Sequence, residues 1–89
     1  MEKFEASFVT PQGQYVGQDY NTAKEAIEAI EANGRGKVVK FFGQRNMPHC
    51  LPETVWRSSA MWVLTPEKGW QGHDIFSGHG RAYGPATPN

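Results

Sequence analysis

The chain reads as a small α+β domain: an antiparallel sheet of order β-β-α-β-β, one principal helix on one face, and a glycine-rich C-terminal tail. Three observations predict it. Phe4, Ala6 and Phe8 alternate with Lys3, Glu5, Ser7 and Val9, the period of a half-buried strand. Ala23, Ala26, Ile27 and Ile30 recur at helical spacing, with Lys24, Glu25, Glu28 and Glu31 on the other side. Lys37-Val38-Val39-Lys40-Phe41-Phe42 is β-branched and aromatic, a third strand.

The connections carry their own signals. Thr10-Pro11-Gln12-Gly13 is turn chemistry, proline presetting the second position and glycine accepting positive φ. Tyr15–Tyr20 is then the returning strand. Thr22 followed three residues later by Glu25 opens the helix as a capping box, with Asn21 a competing cap. Asn33-Gly34 closes it, since both residues tolerate the left-handed conformation. One short helix is marginal alone, so its Ala/Ile stripe needs a surface. The expected surface is Phe4, Phe8, Val39 and Phe41. Gly43–Pro52 reads as a loop from its polar and proline content.

Residues 55–64 admit a helix, with Pro52 and Glu53 in its first turn, or a strand. The tryptophan spacing and Trp62-Val63-Leu64-Thr65 favour a strand, with room for one helical turn at 52–55. Trp56, Ser58, Ala60, Trp62 and Leu64 would then line one face. Beyond Pro66 the chain is short of aliphatics, and five of the sixteen residues from Gly69 to Gly84 are glycine. Ile75-Phe76 is a candidate edge strand. The division is therefore a core over 1–65 and an extension over 66–89 within a single domain.

With 89 residues the chain is one domain of thin margin, burying only about 60–65% of its unfolded surface. Cys50 is the only cysteine, which allows no internal bridge and fits a reduced, cytoplasmic setting. No leader or run of membrane-spanning length is visible. Charges cancel overall but not locally. Residues 1–34 hold six acids against two bases, and residues 35–89 seven bases against three acids. Such asymmetry can mark a binding face, although a helix also draws glutamate to its early turns without any such purpose.

Reactive groups are scattered. His49, Cys50, His73 and His79 lack the paired spacing that pre-organises a zinc site, so surface histidines are the expectation and no metal or cofactor is called. Cys50 as a nucleophile would need a base in reach and a lowered pKa; a packed thiol is the blander account. Gly34-Arg35-Gly36-Lys37 lacks the glycine spacing and Ser/Thr of a phosphate loop, and Gly78–Gly84 misses the dinucleotide fingerprint. No catalytic residue is named and no enzyme is expected.

Two kinds of recognition remain. Arg35, Lys37, Lys40 and Arg45 bracket the third strand beside Phe41, Phe42, Trp56 and Trp62, as in single-stranded nucleic-acid binders, but zero net charge weakens attraction to phosphate. Protein binding is favoured, with Trp70, Arg81, Tyr83 and the loop from Arg45 to His49 as the contact surface. On that expectation, alanine at Trp70 and Arg81 weakens partner capture and leaves thermal stability nearly intact.

Residues 3–43, which contain FEASF (4–8) and GKVVKFF (36–42), resemble the strand–strand–helix–strand core of short bacteriophage and mobile-element accessory proteins. These include inhibitors of host polymerases and of CRISPR or other defence complexes. The resemblance implies an intracellular inhibitor whose partner is a host protein or ribonucleoprotein complex, and it carries no functional residue across.

Overall fold

The computed structural model describes residues 1–46, 53–73 and 87–89. Strands β1 (Glu2–Val9) and β2 (Tyr15–Tyr20) form the expected hairpin, followed by helix α1 (Ala23–Asn33). Strands β3 (Gly36–Asn46), β4 (Glu53–Thr65) and β5 (Gly69–His73) complete one five-stranded antiparallel sheet of order β2-β1-β3-β4-β5. Because β1 lies between β2 and β3 and opposes both, those two strands run parallel, and α1 is the crossover that joins them over one face.

Local chemistry sets the ends of these elements. In the first turn the Gly13 amide donates to the Thr10 carbonyl at 2.8 Å, with Gly13 at φ 85°. The capping box forms as read: the Glu25 amide donates to Thr22 Oγ1 at 3.3 Å, and the Thr22 hydroxyl to Glu25 Oε1 at 2.9 Å. Gly34, at φ 87°, closes the helix by donating to the Ile30 and Glu31 carbonyls. Asn33 Nδ2 donates to the carbonyls of Val9 (3.3 Å) and Arg35 (2.9 Å), fixing the helix end to the end of β1.

The core is the space between α1 and the sheet. Phe4, Ala6, Ala26, Ile30, Val38, Ala60 and Trp62 are buried there, with Phe8, Tyr20, Ala23, Ala29, Leu64 and Trp70 packed around them. Burial of a large apolar side chain is worth roughly 1.5–3 kcal/mol, so Phe4, Ile30, Val38 and Trp62 contribute most among the described residues. Ile27, which the helical stripe placed on the core, is half-buried, and Ala29, outside that stripe, packs against the core.

The third strand turns the other way from the sequence expectation. Val38 lies opposite Ala6 and Trp62, under the helix, and Val39 and Phe41 are on the far face. The doublets Val38-Val39 and Phe41-Phe42 make both parities equally apolar, so alternation could not choose. The choice places Lys40 on the helix side at the margin. There its ammonium lies 5.9 Å from the Phe4 ring, 3.4 Å from Glu2 Oε1 and 3.0 Å from the Asn89 carbonyl, which accepts its hydrogen bond.

The fourth element is a strand, as expected, but its tryptophans do not share a face. Lys40 pairs with Ala60 and Phe41 with Ser58, so Ser59 is an extra residue, a β-bulge. The Ser59 hydroxyl donates to the Lys40 carbonyl at 3.2 Å across the irregularity. One inserted residue reverses the parity below it. Trp62 stays in the core, and Trp56 comes to the open face against Gly43.

Three boundaries also move. Residues 43–46 continue β3 instead of opening a loop, paired in turn with Trp56, Val55, Thr54 and Glu53, so 53–55 is strand and not a helical turn. The sheet passes residue 65, because β5 pairs Gly69–His73 with β4. Trp70 explains why so glycine-rich a segment is held: it packs against the core, and its Nε1 donates to Glu31 Oε1 at 3.0 Å. The suggested strand at Ile75-Phe76 lies outside the described residues.

Candidate binding surface

At the end of the sheet where the β1–β2 turn departs and β3 begins, the structure leaves a groove of about 380 Å³. Phe8, Val9, Tyr15, Val63, Leu64 and Pro66 supply its apolar lining, with Arg35, Lys37 and Glu67 among its charged groups. Val9 and Tyr15 are directly paired across β1 and β2, and they are 52% and 69% exposed. A second hollow, of about 370 Å³, shares Val9 and Arg35 and continues past Thr10, Pro11 and Asn33. Apolar groups exposed on a paired hairpin, beside charges of both signs, are the usual material of a recognition surface.

The rest of the open face carries a second constellation. Lys3 Nζ sits 4.5 Å from the Trp56 ring centroid and 5.5 Å from that of Phe41, and 3.3 Å from Asp19 Oδ2. Gly43 makes this possible, since a β-carbon there would stand 2.7 Å from the Trp56 ring. The Lys3 ammonium is thus occupied by a carboxylate and two rings, which makes it a fastening of the open face more than a free cation.

Of the residues named from sequence for protein binding, Trp70 is in β5, half-buried and bonded to the helix. It therefore supports the fold, and Trp70→Ala should lower stability by about 2 kcal/mol in chemical denaturation, with Trp70→Phe losing about half as much. Arg45 stands in β3 opposite Thr54. His49, Arg81 and Tyr83 lie outside the described residues, as do Cys50 and His79.

The four cations named for nucleic acid are not brought together as a single patch. Arg35 and Lys37 are exposed at the groove, whereas Lys40 is on the helix side, engaged with Glu2 and Asn89. Among the described residues no three His, Cys, Asp or Glu side chains gather as a metal ion would require. Among them, too, no helix is long and apolar enough to cross a membrane.

Sequence reasoning passed over Val9 and Tyr15, although a signal existed. Both are large apolar or aromatic groups at the solvent-facing parity of their strands, opposite Phe8 and Val16 in the alternation. A comparison of the chain with protein-family models, curated proteins and solved structures finds no match.

Proposed function

We propose that this chain is a non-enzymatic module that recognises another protein through the groove at the end of its sheet. The observation that carries the reading is the exposed Val9–Tyr15 pair over an apolar groove of about 380 Å³. Hydrophobic groups in water cost free energy that a complementary surface recovers, at about 25 cal/mol per Å² of apolar area covered. The resemblance of residues 3–43 to phage accessory proteins supports a finer version, in which the partner is a host protein or a defence ribonucleoprotein complex and binding inhibits it.

Affinity capture from nuclease-treated lysate tests the reading. The chain should retain a protein near one-to-one, and Val9→Glu should reduce that recovery at least tenfold with an unchanged melting temperature. Unaltered capture by the variant would remove the groove from the account.

A second reading has one observation in its favour: Lys37, Phe41 and Trp56 share the open face, the arrangement used to stack single-stranded bases. Binding to a labelled oligonucleotide should then weaken steeply with salt. A flat or absent response rejects it.

A further inference from the structure

We infer that the outer edge of β2 receives an extended, basic peptide segment of a partner protein as a sixth strand. The inference rests on the protein-binding reading above and concerns the outer edge of the strand, which meets the groove at Tyr15. Both edges of a sheet present unpaired backbone groups, and natural edges are blunted by lysine, proline, bulges or shortness. Strand β2 has none of these. It holds six consecutive residues in unbroken register with β1, contains neither proline nor lysine, and pairs on its outer side with no strand among the described residues. Tyr15, Gly17, Gln18 and Asp19 are all exposed. Alternate residues of such a strand direct their N–H and C=O groups outward, the template on which strand addition is built.

The side chains beside this edge choose the occupant. A hollow of about 290 Å³ opens over Gly17, between Tyr15 and Asp19, with Glu5 of the neighbouring strand at its inner side. The Tyr15 ring lies along Gly17, its Cε1 3.5 Å from where a β-carbon would be. An aromatic wall and two carboxylates, one already shared with Lys3, match a lysine or arginine side chain. A second copy of the chain fits less well. Edge-to-edge pairing would gather the Glu5 and Asp19 carboxylates of both copies at one seam, with only the Lys3 of each beside them in an ion pair. A basic strand meets the opposite field.

Selection of a displayed library of random linear heptapeptides on the purified chain tests this. Enriched peptides should contain lysine or arginine at least about threefold above the starting library, in sequences without proline at their centre. One such synthetic peptide should slow amide exchange of Tyr15–Tyr20 at least tenfold. Its backbone N-methylated form, which cannot form the ladder, should not. The Glu5→Gln/Asp19→Asn variant should bind it at least tenfold more weakly with its β-sheet circular dichroism retained. Enrichment of acidic or purely apolar peptides, protection at the groove instead of β2, or no enrichment would overturn the assignment. So would concentration-dependent dimerisation that protects β2, since it would give the edge to a second copy. Retention of binding to β2 alongside full lysate capture by Val9→Glu would sink the groove reading alone, so the two failures are distinguishable.

Discussion

Trp62→Ala should cost about 3–5 kcal/mol, a large part of the stability available to a domain of this size. Trp62 is 0% exposed, lies opposite Val38 on one side and Gly72 on the other, and belongs to the cluster that α1 covers. Truncation removes the largest fully buried side chain and leaves a cavity bounded by paired strands, which cannot collapse inward without breaking register. Urea denaturation followed by far-ultraviolet circular dichroism measures the loss. Trp56→Ala is the internal control. That ring lies half-buried on the open face, so its removal should cost about 1 kcal/mol, mostly the contacts with Gly43 and the Lys3 ammonium. Equal losses at the two positions would contradict the bulge at Ser59, because only an unbroken strand puts both rings on one side.

Gly36→Ala should be nearly as damaging, at about 2–4 kcal/mol, for two reasons that add. Gly36 has φ 150°, where a β-carbon is strained whatever the space. The space is also filled. A β-carbon would stand 2.7 Å from the Ser7 carbonyl oxygen and 2.9 Å from both Ile30 Cδ1 and Phe8 Cβ. Two of those three atoms belong to backbone or to the first side-chain carbon, so only Ile30 can turn aside. Gly43→Ala supplies the contrast: the crowding atoms are the Trp56 ring, which can swing away into solvent. Its cost should stay near 1 kcal/mol, with a change in tryptophan emission as the ring leaves Lys3. A Gly36→Ala protein as stable as the parent would mean that α1 does not approach the start of β3 as closely as described.

These two glycines show where sequence reading stops. The helix was legible to its caps, because Thr22, Glu25 and Gly34 act through bonds spanning three or four residues, and the apolar alternation of β1 was equally plain. What escaped was the parity and register that partner strands decide beyond the first hairpin. Val38 and Val39 are interchangeable in hydropathy, and the partner that picks one is Trp62, twenty-four positions away. The bulge at Ser59 carries no glycine or proline to announce it; its effect is a register shift visible only against β3. Strand β5 has neither β-branched residues nor alternation, and is held by the packing of Trp70 and its bond to Glu31. The groove is harder still, since it joins the ends of four segments from Ser7 to Glu67. Only Val9 and Tyr15, apolar at a solvent-facing parity, hinted at it in advance.

The claim that this chain works by contact at the groove is most directly tested by photocrosslinking at Val9, which lines the groove but not the hollow beside the β2 edge. Benzoylphenylalanine at position 9, where the native side chain is 52% exposed, should form a crosslinked adduct with the captured protein in nuclease-treated lysate. The same group at Glu28, exposed on the helix, should form none. Adducts from position 28 with none from position 9 would place recognition on the other side of the molecule and contradict the account.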